Sequence, residues 1–307
     1  MDSAVEKLFY FLDNKTADLQ QQSGLSYLES LQQTLEKWLD GEAAPTGAYG
    51  KEEIRKAVQL TVLKGMKEHV QPHHQMTPDS IGLLISYFAE LFIKAESFTV
   101  LDPAAGTGNL LLTVMNYLDG RTAGTAVEID ELLIRLAAAT AELTDQPVTF
   151  YRQDALGPLL VDPADAIVAD LPVGYYPDEE TAAGYRLTSS EGMPYAHHLF
   201  IEQSLRHTKE GGYLFLVIPQ NLFESAEAQN LHRFLKDSAH IQAVLQLPEA
   251  MVKNSAFAKS VLILQKAGDG VKAPREVLLA RVPNLSNKTA MAKFFQQTDE
   301  WFRSSKQ

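Results

Sequence analysis

Asp102-Pro103-Ala104-Ala105-Gly106-Thr107-Gly108-Asn109 lies between the apolar run Phe98-Thr99-Val100-Leu101 and a second one, Leu110-Leu111-Leu112-Thr113-Val114-Met115. A short strand, a glycine-rich turn and a helix in direct succession leave few options beyond a layered α/β fold. Two glycines let the backbone turn sharply and approach a ligand closely, while free N–H groups at the helix start face the space beyond the strand. Such a turn also occurs for packing alone, so its meaning rests on the residues downstream of it. Gly124-Thr125-Ala126-Val127-Glu128 reads as the next strand. It ends in an acid about 20 residues past the turn, where doubly wound folds place a carboxylate against ribose hydroxyls.

Around this unit the pattern divides the chain. Leu8, Phe11 and Leu12, then Leu25, Leu28, Leu31, Leu35 and Leu39, recur at three- and four-residue steps, and a loop over 41–50 precedes a helix over 51–68. Residues 1–70 therefore read as a small helical domain that packs on the rest, and 71–307 as an α/β domain. Strands are expected at 99–102, 124–128, 148–151, 166–170, 213–219, 241–247 and 260–265, the first five parallel. Lys209-Glu210-Gly211-Gly212 reads as a glycine helix stop before the fifth strand. The last two strands are too close in sequence for a helical crossover and should pair antiparallel. The expected fold is a doubly wound, mostly parallel seven-stranded sheet with an antiparallel last strand, with one further candidate strand at 276–281 and a terminal helix at 290–302.

Dinucleotide sites carry a third glycine where this chain has Leu111, which disfavours NAD. An acid opening the turn, Asp102, suits a ligand with an amino group and no pyrophosphate. The run resembles motif I of class I S-adenosylmethionine (SAM) methyltransferases. That resemblance implies that Gly106 and Gly108 lie against the cofactor, that Asp102 faces its methionine end and that Glu128 binds its ribose. Pro103, Ala104, Thr107 and Ile129 complete the set beside them. His74-Gln75-Met76-Thr77-Pro78 resembles motif X of type I restriction modification subunits, in which Thr77 opens a helix at the methionine end. Asp154, followed by Ala155, matches the family's acid for the adenine amino group. A mostly parallel sheet closed by an antiparallel strand is similar to the same class, a Rossmann-like methyltransferase fold.

Asp170-Leu171-Pro172-Val173-Gly174-Tyr175-Tyr176-Pro177 ends the fourth expected strand. It resembles motif IV of amino-group methyltransferases, written Asn/Asp-Pro-Pro and then an aromatic. The lone pair of an adenine or amide nitrogen is delocalised, so an acceptor side chain and a backbone carbonyl hold its hydrogens during in-line attack on a methyl group. Asp170 is the expected acceptor and the Leu171 carbonyl the second, with Pro172 shaping the loop. Val173 stands where the stacking aromatic belongs, and Tyr175 or Tyr176 is the candidate replacement. In the alternative reading, Asp170 caps a turn and 172–177 is a rigid loop.

Zero cysteines exclude disulfides and thiolate metal sites. The pairs His73-His74 and His197-His198 have no third ligand at a recognisable spacing, so no metal is expected. Neither a signal peptide nor a membrane span is apparent, which points to the cytoplasm. A net charge of −12 opposes tight autonomous binding to DNA, and no target-recognition domain follows Lys266. DNA reading would need a specificity subunit or another protein partner. The leading expectation is SAM-dependent methylation of an amino nitrogen, adenine in DNA first. Competing with it are methylation of protein glutamine or RNA, a non-catalytic SAM-binding interaction protein and, as an outsider, a dinucleotide oxidoreductase.

Overall fold

The computed structural model describes residues 3–68, 76–189, 191–248 and 258–306. Two compact units divide the chain, one of residues 1–87 and 95–154, the other of 88–94 and 155–307. His73, His74 and Gln75 lie outside the described residues.

The first unit opens with α1 (Ala4–Ser23), α2 (Tyr27–Leu39) and α3 (Lys51–Glu68). Ser3 and Ser26 start the first two with capping boxes, in which the serine hydroxyl accepts an N–H from Glu6 or Glu29 and that glutamate's carboxylate accepts the cap N–H in return. Four helix-end groups are thereby satisfied locally. Leu8, Leu12, Leu31 and Leu35 of the apolar stripe are buried in one core with Ile54 and Val58, and Phe11, Leu28 and Leu39 pack against it partly buried. Leu136 and Ala139 of α6 (Glu131–Leu143) belong to that same core, so the N-terminal helices are fastened to the α/β part of their own unit. Each leucine buried this way stabilises the packing by about 1.5–3 kcal/mol. A fourth helix, α4 (Asp79–Phe92), leads to three parallel strands, β1 (Phe98–Asp102), β2 (Thr122–Glu128) and β3 (Val148–Arg152). Their order is β3-β2-β1, with Phe98 level with Thr122 and Gly124 level with Val148. The crossovers are α5 (Asn109–Leu118) and α6.

In the second unit β4 (Ala164–Asp170), β5 (Thr208–Pro219), β6 (Ala239–Gln246), β7 (Lys259–Lys266) and β8 (Leu278–Arg281) run in the order β4-β5-β7-β6-β8. β4 and β5 are parallel, and β7 is antiparallel to both β5 and β6. Four helices accompany them: α7 (Glu179–Ala182), α8 (Ala196–Arg206), α9 (Ala228–Ser238) and α10 (Lys288–Ser305). The architecture is the expected doubly wound, mostly parallel one, with eight strands instead of seven. The eighth, β8, falls at the further candidate strand 276–281 and pairs parallel to β6 from Ala243–Leu278 to Gln246–Arg281. It is short, with Leu278 and Ala280 half-buried on one face and Leu279, 75 % exposed, on the other.

Lys209–Gly212 is a bulge inside β5 and not a helix stop. The register jumps from Ala164–Thr208 to Ala166–Tyr213. Gly211 has φ +74°, and a Cβ on Gly212 would sit 2.7 Å from the Asp165 carbonyl oxygen. Glycine is therefore required by close backbone approach within a strand. Among the described residues no helix is long and apolar enough to cross a membrane.

Candidate active site

β1 delivers Asp102 to the base of the turn, 1 % exposed, where its Oδ1 accepts the Ala104 N–H at 3.0 Å. Pro103 is buried and Ala104 half-buried beside it. Gly106 (φ +54°) and Gly108 (φ +75°) both adopt the left-handed conformation that side chains disfavour. The Gly106 N–H donates to Glu128 Oε2 at 2.8 Å, and Glu128 Oε1 accepts the Asp130 N–H at 2.9 Å. The acid at the end of β2 thus rests on the turn. Asp130 then caps α6 by accepting from Leu133.

The two glycines do different things. A Cβ on Gly106 would meet nothing within 4 Å, so this is the point at which a ligand can approach the backbone. On Gly108 it would lie 3.0 Å from Ala137 Cβ in α6. Gly108 serves helix packing, and Gly106 is the open position of the two. Thr107 is half-buried, and Ile129 is 63 % exposed next to Glu128, an apolar side chain left where a flat ring could cover it. Thr77 is buried, and its carbonyl accepts from Asn109 Nδ2 at 2.8 Å, which brings the segment before α4 to the start of α5. Asp154 is half-buried after β3 and Ala155 is buried. An adenosyl ligand with a cationic methionine end suits this donor set: an open backbone approach, a carboxylate for hydroxyls and an exposed apolar surface.

The second unit carries the acceptor set. Asp170 ends β4 with its side chain 13 % exposed, and Lys259 Nζ, from the first residue of β7, donates to both carboxylate oxygens at 2.7 and 2.9 Å. Leu171 is buried, with its N–H given to the Val217 carbonyl, whereas Pro172 is exposed. The loop after it is clamped to the segment before α8 through Tyr176 N–H to Pro194 and Ala196 N–H to Gly174. Tyr175, 60 % exposed, stacks on Tyr195 with ring centroids 5.1 Å apart and planes 20° apart. Val173 is 56 % exposed and contributes no ring. His197 and His198 are buried beneath Tyr195, and burial, joined for His197 by its neighbour's charge, pushes both down to about 4. They are neutral side chains of the α8 core. No group of three or more His, Asp or Glu among the described residues is arranged to hold a metal ion.

Sequence reasoning missed Lys259, Tyr195, Asn109 and Arg55. The last is a buried arginine of α3 that meets Asn109 Oδ1 at 2.7 Å and Asp79 Oδ2 at 2.7 Å. An arginine one step from Ile54 on the buried stripe was the one signal available.

A family model described as N-6 DNA methylase matches residues 73–300. The Bacillus subtilis (strain 168) protein YtxK, itself uncharacterised, is 49 % identical over 267 residues, covering 86 % of this chain and 81 % of that one. Among solved structures, a candidate class I SAM-dependent methyltransferase from Listeria monocytogenes aligns with a TM-score of 0.91 at 42 % identity, covering 97 % of this chain and 99 % of its own. The type I restriction-modification methyltransferase subunit from Streptococcus thermophilus shares the fold, with a TM-score of 0.68, 15 % identity and coverage of 97 % and 73 %. With a turn closed by Glu128, a strand order of the doubly wound type and these matches in hand, the chain belongs to the N-6 DNA methylase family and has the class I methyltransferase fold.

Proposed function

We propose that this protein is a SAM-dependent methyltransferase acting on an amino nitrogen, adenine in DNA being the favoured acceptor. The observation that carries the cofactor half is the turn in which Gly106 is open to a ligand while its N–H is tied to Glu128. Bound there, SAM supplies an electrophilic methyl group. Asp102, Glu128 and Ile129 are the residues assigned to hold it, with Thr77, Pro103, Ala104, Thr107, Gly108, Asp154 and Ala155 shaping their surroundings.

For the acceptor half, Asp170 receives the amine hydrogens together with the Leu171 carbonyl. Tyr175 replaces the missing aromatic at Val173. Its ring is backed by Tyr195 and mostly exposed, as a stacking platform for a flipped base needs to be. A net charge of −12 opposes unaided binding to nucleic acid and supports an encounter assisted by a protein partner.

Lys259 favours a second reading. A cation on both oxygens of Asp170 competes with a substrate amine, as expected of a SAM-binding protein that no longer transfers methyl groups. Tritiated methyl transfer, run in parallel on DNA, RNA and cell-extract protein, separates the two. Transfer to DNA that disappears in Asp170→Ala supports catalysis on adenine. Firm SAM binding with no transfer to any acceptor supports the second reading.

A further inference from the structure

Arg55 is 1 % exposed and uses all of its guanidinium N–H groups. Nε and Nη2 donate to Glu52 at 2.8 and 2.7 Å, Nη1 and Nη2 to Asp79 at 3.0 and 2.7 Å, and Nη1 to Asn109 Oδ1 at 2.7 Å. Burial opposes its charge, and the bonds and charges of the two carboxylates outweigh that and hold the guanidinium above its ordinary value. Each partner occupies a particular place. Asp79 is the first residue of α4, two after Thr77, and Asn109 is the first residue of α5, directly after Gly108.

Because Gly108 caps α5 without a side-chain bond, the start of that helix is fixed instead by the Asn109 side chain. That amide faces Arg55 through Oδ1 and reaches Thr77 O at 2.8 Å and Asp79 Oδ1 at 3.2 Å through Nδ2. A water-sized cavity beside this network has Arg55, Asn109 and, from the turn, Thr107 in its otherwise largely apolar lining. We propose that Arg55 is a positioning residue of the cofactor site, delivered by the N-terminal helices, which locks the start of α4 and the Gly106–Gly108 turn into the shape that receives SAM. The inference rests on the SAM reading above. Its physical basis is preorganisation: a turn already held in place loses less freedom when a ligand binds. Without Arg55, Glu52 is left to Lys56 and the Asn116 amide, Asp79 to the Gln59 and Asn109 amides, and Asn109 Oδ1 loses its donor, so the buried side of the cluster loses its cation. Lysine cannot reproduce this bidentate, forked set.

The test is calorimetric titration of the full chain with SAM and with S-adenosylhomocysteine, alongside thermal unfolding without ligand. Arg55→Met should weaken both ligands at least tenfold, with Arg55→Lys recovering only part. Asn109→Ala, which keeps both ion pairs and guards against a misfolded Arg55→Met, should weaken them several-fold. Leu31→Ala, in the helical core of the same unit, should lower the Tm and leave the Kd within twofold. Folded Arg55→Met or Asn109→Ala with wild-type affinity overturns the proposal, as does a Leu31→Ala loss of affinity equal to that of Arg55→Met. A wild-type chain that takes up no SAM removes the cofactor reading itself, before any variant is compared.

Discussion

Removing the Lys259 amine is the most informative single perturbation of the acceptor set. At an effective dielectric near 20, two unit charges about 3 Å apart attract by roughly 6 kcal/mol, and desolvation of both ions offsets most of that. Deleting one partner of a fully buried pair costs about 3–5 kcal/mol, because the other charge is left without compensation. Here the side chains are 13 % and 23 % exposed, so water shares the load. Lys259→Met should therefore destabilise by about 2 kcal/mol, below the range for a fully buried pair. Asp170→Asn should cost a similar amount, and the double variant clearly less than the sum. Urea unfolding at pH 7 of wild type, both single variants and the double variant gives the coupling directly, expected at about 1.5 kcal/mol or more. Additivity to within about 0.5 kcal/mol would show that the ion pair is not formed in solution, and with it the competition for Asp170 would disappear.

The remaining expectations come from the same geometry. Gly106→Val should abolish SAM binding by obstructing the open approach, with a stability loss limited to the strain of φ +54°, whereas Gly108→Val should lower the Tm further, because contact with Ala137 adds to the strain of φ +75°; equal effects on both measures would refute the division of roles. His197 and His198, with folded values pushed to about 4 by burial, bind protons later than in the unfolded chain. Stability is thus intact above about pH 6.5 and falls as pH drops toward 4, by roughly 2 kcal/mol per ring at pH 5. His198→Leu should reduce that loss, and urea midpoints that are equally pH-dependent with and without the substitution would contradict it. Tyr175→Ala should lower transfer to adenine by removing stacking of about 1–3 kcal/mol, while Val173→Tyr should raise it, both read as kcat/KM on a single-stranded oligonucleotide.

How much of this was legible depends on which interactions are local. The strand, turn and helix around Gly106 could be read because left-handed glycines and an apolar period change leave their mark within a dozen residues. Glu128 was reachable because parallel β1 and β2 with one crossover fix its distance from the turn. The same glycine signal misled at Gly211–Gly212, since a bulge inside β5 and a helix stop need the same freedom of backbone. Arg55 and Lys259 were hidden for another reason. A charged residue on a helix or at a strand's first position is ordinarily solvated, and distant partners hold these two, 24 and 54 residues away for Arg55 and 89 away for Lys259. Tyr175 was found as a candidate, but only the packing of Tyr195 against it distinguishes it from Tyr176.

Ligand titration of wild type and Glu128→Ala with SAM and with NAD tests the central claim most directly. Glu128 holds the N–H groups of both Gly106 and Asp130, so its loss releases the turn as well as a charged ligand contact worth about 1.5–3 kcal/mol. The expected result is a micromolar Kd for SAM in wild type, no uptake of NAD, and at least tenfold weaker SAM binding in Glu128→Ala. Uptake of NAD without SAM, or an unchanged SAM affinity in the variant, would contradict the account.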